Sequence, residues 1–488
     1  MTFWDHLDEL RAVLLRCGTI VVVFAVVAFC FRDELFGVVL APKEDAFCIY
    51  ELFRRITELP TFHVDLINTG LARQFIIHMQ MAFAAGIIAA SPYLLFEIFR
   101  DYLRKAGITD DQIVAIQLDS DEFERLRTPR ELSAYVKKRI LSDGRRTYVL
   151  IDEIQECKPP NGEPKGGITF YDVLSSLMKK KGVDVYVTGS NSEMLSEDIA
   201  TNFRDRGTVI KMWPLSFAEY YGASGKEKSD AWEDYLVWGG MPLAVLNPRE
   251  RAREDYLRGL FEEVYFKDIV ERYNLNDGIL LGRICDVVSS EVGGLVSVNR
   301  IVNTLKTEAG IGTNGHTLGD YLGYFRKSFL FESADRWDVK GRRYLASPVK
   351  YYAEDVGLRN ARLNFRQMER THLMENVIFC DLRRRGYAVD VGVIERVEKD
   401  RKGKSVRKSY EIDFVVNSGF RKVYVQSAFE MSNPKKAQAE RRPLELTGDF
   451  FRKIIVTGGN ERMWMDEGGI VHVGVIPFLL DESILMGE

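Results

Sequence analysis

The stretch YVLIDEIQEC, Tyr148–Cys157, ends an apolar run on two adjacent carboxylates, Asp152 and Glu153. At the carboxyl tip of a buried strand, one such carboxylate can hold Mg²⁺ through a bound nucleotide while the other polarises a water. That chemistry needs an upstream partner: a glycine-rich loop with the spacing GxxxxGK[ST], whose N–H groups and lysine cradle phosphates. Gly-Lys occurs only in SGKEK and KGKS, and in neither does a glycine stand five residues before the second one.

The elements that would position these carboxylates follow from periodicity. QIVAIQLD reads as a strand, and TPRELSAYVKKRIL as a helix with Thr128 at its N-cap. TFYDVLSSLMKKKG reads as a helix and VDVYVTGSNSEML as a strand leaving into a polar turn. LLFEIFRDYLRKAG has helical spacing and stops at Gly107, a suitable C-cap. Strands alternating with helices predict a parallel sheet covered on both faces, with ligands at the carboxyl ends of its strands. Asp152, Glu153 and residues 188–191 fall at those ends.

The chain has 488 residues, enough for about three domains. Its composition is ordinary, with 46% hydrophobic and 28% charged residues and a net charge of −4, which excludes disordered and strongly basic classes. The six cysteines are scattered without a CxxC pair, so neither a zinc site nor a disulfide framework is expected. The first hundred residues differ from the rest. Leu14–Phe31 and Phe75–Phe99 are each nearly continuous hydrophobe, and about 20 apolar residues span a bilayer. The expectation is two transmembrane helices, 14–31 and 75–99; a pair of buried core helices is the alternative. Arg11 and Arg16 before the first and Arg100, Arg104 and Lys105 after the second place both ends in the cytoplasm. The expected location is therefore the bacterial inner membrane, multi-pass, with the C-terminal bulk cytoplasmic.

Two families are resembled. FWDHLDELRAVLLR, LAPKEDAF and INTGLARQFIIHMQMAFAAGIIAASPYLLFEIFR resemble the N-terminal part of TatC, the membrane subunit of the twin-arginine translocase. The resemblance implies that Glu9 and Arg11 take part in signal-peptide binding and that other translocase subunits are partners. It departs from the family in showing two spans rather than six. From about Leu94 onward, YVLIDEIQE, DVYVTGSNSEMLS, GTVIKMWPLSFAEYY, YLVWGGMPLAVL and YLRGLFEEVYFKDIVERY resemble a bacterial and archaeal AAA-like ATPase family. This resemblance implies Asp152 as the Mg²⁺ partner, Glu153 as the base, Ser190 or Asn191 as the sensor, and Mg²⁺ and ATP as the cofactors if any nucleotide binds. The family's phosphate loop should precede LLFEIFRDYL, but AAGIIAASPY stands there, with one glycine, no lysine, and Pro92 near the expected Ser/Thr position. LLFEIFR suits both families, so a junction is expected between Pro92 and Arg100, made by recombination or by an assembly error.

The C-terminal half continues the ATPase-family resemblance. The segment from Leu281 reads helix, helix, turn, helix, strand, resembling a winged helix with Gly315–Phe325 as the recognition-like helix. Its basic content is thin, so a DNA partner is not expected through it. ENVIFCDLRRRGY, YEIDFVV and KVYVQSAFE resemble a PD-(D/E)xK nuclease-like domain, with Glu375 and Asp413 at acidic positions, Gln426 at the second acid and Ala428 where a lysine should be. A degenerate site is expected. ERVEKDRKGKSVRKSYE reads as a charged, solvated hairpin.

The expected fold class is thus α/β with N-terminal transmembrane helices, a parallel-sheet AAA-type domain, a winged-helix segment and a nuclease-like α/β domain. The expected domains are 1–99 (TatC-like), 94–225 (AAA-like, without the phosphate loop), 226–335 (helical and winged-helix) and 336–488 (nuclease-like). The expected function is an AAA-like ATPase-family protein, degenerate in nucleotide binding and membrane-anchored. The alternative is a truncated TatC acting in protein transport.

Overall fold

The computed structural model describes residues 100–158, 167–189, 208, 210–275, 278–308, 310, 312–399, 404–431 and 433–487. Those up to 189 belong to one compact unit and those from 208 onward to another. The expected spans 14–31 and 75–99 lie outside the described residues. The expected fold class is corrected here: the described residues form an α/β fold containing a parallel sheet, and none of their helices is long and apolar enough to cross a membrane.

In the first unit, β1 (Ile113–Gln117), β2 (Thr147–Asp152) and β3 (Val183–Val187) make a parallel sheet in the order β1-β2-β3. Helix α1 spans residues 100–105, and Gly107 beyond it takes φ +85°, a left-handed turn that glycine adopts without strain. Helix α2 (Pro129–Arg139) buries Leu132 and Val136, and α3 (Phe170–Met178) buries Val173, Leu174 and Leu177. Thr128 occupies the N-cap of α2 without a side-chain capping bond, whereas Thr169 and Asp172 form a capping box on α3. The central strand β2 buries Thr147, Val149, Leu150, Ile151 and Asp152, which is why it reads as an unbroken apolar run.

The second unit opens with α4 (Phe217–Ser224) and α5 (Lys228–Trp238). The GGMP turn after α5 has a tight physical reason. A Cβ on Gly240 would lie 2.0 Å from the Leu215 carbonyl oxygen, and one on Gly239 would lie 2.3 Å from Asp355 Oδ1. The buried Asp355 caps α6 (Val356–Arg362), accepting from Leu358 N at 2.9 Å and from Gly240 N at 2.7 Å. Burial pushes its carboxyl up to about 6, against the pull of those backbone donors.

One mixed sheet of nine strands, β11-β12-β10-β9-β8-β7-β5-β6-β4, organises the rest. β4 (Leu295–Val296), β5 (Phe331–Asp338) and β6 (Arg343–Ala353) come next and interleave with α7 (Gly278–Ser290), α8 (Val298–Glu308) and α9 (Gly315–Lys327). Helix α9 covers the recognition-like segment, and it turns Leu318, Tyr321, Leu322 and Phe325 into the core. The sheet then runs through β7 (Ala388–Lys399), β8 (Ser405–Ser418), β9 (Arg421–Ala428), β10 (Arg452–Thr457), β11 (Trp464–Met465) and β12 (Val471–Gly474). β5 pairs parallel with β7, so a single sheet passes through residue 335 without a break. Helix α10 (Arg370–Arg384) packs on one face through Met374 and Phe379, against Phe414, Val416, Val423 and Val425. Helix α11 (Pro434–Glu445) covers the other through Leu444, over Ile394, Ile412, Val415 and Tyr424. Between Asp390 and Gly392 on β7, the facing strand runs from Val415 to Ile412, so β8 carries one extra residue in a bulge at Asp413–Phe414.

Candidate functional site

Two constellations of buried carboxylates stand out, one in each unit. In the first, Asp152 ends β2 and is 3% exposed. Its Oδ1 accepts from the hydroxyl of Thr188, which comes directly after β3. Thr188 also receives Glu153 N at 3.4 Å on that same hydroxyl and Ile154 N at 3.2 Å on its carbonyl, while its own N–H donates to Ile151 O at 2.9 Å. Leu118 N, at the end of β1, reaches the Asp152 carbonyl at 3.2 Å. The carboxyl ends of all three strands are thus stitched at one point. Glu153 is held there at φ +49°, a left-handed conformation that costs a non-glycine residue about 1–3 kcal/mol.

Burial raises the Asp152 pKa, with the charges of Glu153 and Asp119 adding to it and the Thr188 hydroxyl opposing. Its second oxygen, Oδ2, is buried without a hydrogen-bond partner among the described residues. An orphaned anionic oxygen at the carboxyl end of a parallel strand fits a divalent cation. Asp152 therefore suits the Mg²⁺ partner role, and Thr188 is the residue that aims it. The sensor candidates Ser190 and Asn191 lie outside the described residues, as do the signal-peptide candidates Glu9 and Arg11.

In the second unit the structure brings Glu375, Asp413 and Gln426 together. It adds a residue that sequence reasoning did not select. Lys350, on β6 and 3% exposed, places its ammonium 2.9 Å from Glu375 Oε1, 2.8 Å from Glu411 Oε1 and 3.5 Å from Asp413 Oδ1. Tyr352, two residues on, donates to the same Glu375 oxygen at 2.8 Å. Ser427 N donates to Asp413 Oδ2 at 2.9 Å, and Gln426 receives Asp413 N at 3.4 Å while donating to Glu440 at 2.9 Å. Ala428 is buried in the core beneath α11.

Burial and the neighbouring Glu375 charge push the Asp413 carboxyl up to about 7, with Lys350 pulling the other way. The same three carboxylates raise the Lys350 ammonium above its ordinary value despite its burial. An internal cation thus sits where the carboxylates converge. Among the described residues no group of three or more His, Cys, Asp or Glu side chains is arranged to hold a metal ion. Lys350 gave no signal in the sequence because it is a single lysine next to the aromatic and apolar residues of β6, 25 residues from Glu375.

Comparison with known proteins places these units. The family model for TatC, the Sec-independent protein translocase protein, matches residues 5–106. An AAA domain model matches residues 92–221, and a model for a domain of unknown function matches residues 229–369. The chain joins a TatC-like segment to an AAA-like body. The two matches overlap at residues 92–106, the segment in which the sequence puts the junction. An uncharacterised protein of Haemophilus influenzae is 29% identical over 402 residues, 81% of this chain and 93% of its own length. An uncharacterised protein of Methanocaldococcus jannaschii is 25% identical over 409 residues, 79% of this chain and 84% of its own. The TatC of Deinococcus radiodurans is 32% identical over 96 residues, 20% of this chain and 32% of that protein. The chain therefore spans about a third of that translocase subunit.

These geometries make two outcomes expected. Thr188→Val keeps the shape of the side chain but leaves Asp152 Oδ1 without its donor, so it should cost about 1–3 kcal/mol, read as a lower midpoint in denaturant unfolding. Lys350→Met should cost more, about 3–5 kcal/mol, because buried carboxylates lose their shared counter-ion; a midpoint equal to wild type would contradict the geometry.

Proposed function

We propose that the chain is an AAA-like ATPase-family protein that is degenerate in nucleotide binding. The observation that carries this reading is the pairing of a well-placed carboxylate with a missing cradle. Asp152, with one oxygen free for a cation, stands at the strand end where such proteins hold Mg²⁺. The sequence nowhere writes the loop that would hold the phosphates. Phosphoryl transfer is mostly positioning and charge stabilisation. The absent loop would have supplied backbone N–H groups, a lysine and a Mg²⁺-binding hydroxyl together. Losing one preorganised electrostatic donor alone commonly costs about 10²–10³ in rate. In a chain without the loop, Asp152 and Glu153 repel phosphate rather than bind it.

The nuclease-like cluster is read in the same way. Lys350 pairs with Glu375, Glu411 and Asp413 from within, Gln426 is engaged with Glu440, and Ala428 offers no cation. The cluster serves to join β6, β8 and α10 rather than to cleave phosphodiesters.

A second reading rests on the TatC match at residues 5–106. It gives the chain an association with the bacterial inner membrane, and with it access to other twin-arginine translocase components.

Each reading has its test. The full-length chain should show no thermal stabilisation by Mg–ATP. Ser91→Gly, Pro92→Lys and Tyr93→Thr together write GIIAAGKT over residues 86–93 and should create a binder stabilised by about 2.7 kcal/mol at ATP a hundredfold above its Kd. ATP hydrolysis by the wild-type chain that disappears in Glu153→Gln would sink the degenerate reading. For the membrane association, the full chain should sediment with inner membranes while a chain lacking residues 1–91 should not. Equal partition of the two would remove the role of the TatC-like segment.

A further inference from the structure

β7 and β8 continue well past the sheet that anchors them. β5 pairs with β7 only over Val391–Val393, and β9 pairs with β8 only from Phe414 onward. Beyond those points, Ile394–Lys399 and Ser405–Tyr410 pair, among the described residues, only with each other, as an antiparallel ribbon about 20 Å long. The tip, residues 400–403, lies outside the described residues.

The ribbon is basic on both faces. Lys399 and Arg407 point to the side that carries Glu411 and Lys350 at the base; Arg396 and Lys408 point to the other, the side covered by α11. All four are exposed. Glu395 and Glu398 offset them only partly, through pairs with Arg407 at 3.7 Å and Lys408 at 3.0 Å. Arg442 of α11 adds a further cation on the second side, 3.6 Å from Glu398. Arg396 and Lys408 are direct cross-strand partners. Like charges directly opposite each other destabilise a ribbon, and Glu398, 3.0 Å from Lys408, offsets only part of that repulsion. Both residues are exposed, so packing does not require them there.

We propose that this ribbon is a phosphate-binding arm for double-stranded nucleic acid. A two-stranded ribbon fits the major groove, about 12 Å wide, where the phosphate rows of the two strands flank it on both sides. A flat anionic membrane would engage one face and leave the cations of the other in solvent. The arm acts on backbone charge and carries no base-reading set, so its binding is sequence-independent and strongly salt-dependent. It is independent of the nucleotide site and of the TatC-like segment.

The test is fluorescence anisotropy of a labelled mixed-sequence duplex with the purified full-length chain, titrated with salt. Wild type should bind, with log affinity falling linearly against log salt. Arg396→Ala with Lys408→Ala should flatten that slope by about 1.8, so that its deficit shrinks about tenfold between about 50 and 200 mM salt. The charge-preserving pair Arg396→Lys with Lys408→Arg should restore wild-type binding. The melting temperature of the alanine pair should stay close to that of wild type, because the lost repulsion and the lost Glu398–Lys408 pair act in opposite directions. Absence of duplex binding by wild type would overturn the proposal, as would an unchanged slope in the alanine pair. Arm-dependent binding to phosphatidylserine vesicles without duplex binding would overturn it in favour of a membrane role. If the alanine pair does not fold, Lys399→Ala with Arg407→Ala on the other side replaces it, and an unchanged slope there overturns the proposal.

Discussion

The ammonium of Lys350 is the contact on which the second unit turns. Three carboxylates from two elements meet it, Glu375 on α10 and Asp413 on β8 buried, and Glu411 on β8 with its side chain 33% exposed. Burying Lys350, Glu375 or Asp413 alone costs several kcal/mol, so these three depend on one another. The interaction fixes the helix to the sheet at the level where Tyr352, Phe379 and Phe414 stack. It also crowds Gly293, where an added Cβ would come within 3.3 Å of the Glu375 carboxyl group. Asp355 solves the same problem with backbone N–H donors from Gly240 and from the start of α6, and Asp152 solves half of it with one hydroxyl. The protein thus shows three answers to one cost, and of the three only the last leaves an oxygen without a hydrogen-bond partner among the described residues.

The two family matches meet over residues 92–106 without a linker between them. Described structure begins at Arg100, inside that overlap, and α1 there continues directly into the turn at Gly107. A segment that satisfies two families is necessarily ambiguous in composition: LLFEIFR is apolar enough to end one and amphipathic enough to begin the other.

Local patterning made much of the fold legible. β1, β2, β3, α2 and α3 arise from runs and periodicities contained within about a dozen residues, and the family motifs pointed to the AAA-like body. What could not be read depends on residues far apart in sequence. Thr188 meets Asp152 across 36 residues, and Lys350 meets Glu375 across 25. The sequence suggested that the cluster lacks a cation because Ala428 stands where a lysine was expected; the cation instead comes from β6. The continuous sheet through residue 335 was equally hidden, since β5 and β7 are parallel and their pairing has no turn signature. The left-handed Glu153 is invisible for a different reason: no residue type announces it.

The bulge at Asp413–Phe414 has a consequence for how this strand can change over time. It spends one residue without advancing the pairing, so the inside–outside alternation of β8 shifts phase at that point. Two residues there face one residue of β7, so losing either would restore regular alternation and leave Gly392 opposite Ile412, with every pair beyond it on its present side. A single residue gained or lost farther out along β8 would instead turn the side chains beyond it to the opposite side, unless a second bulge took it up. The bulge is thus the place where this strand can absorb a change in length, and the projection beyond it is where it cannot.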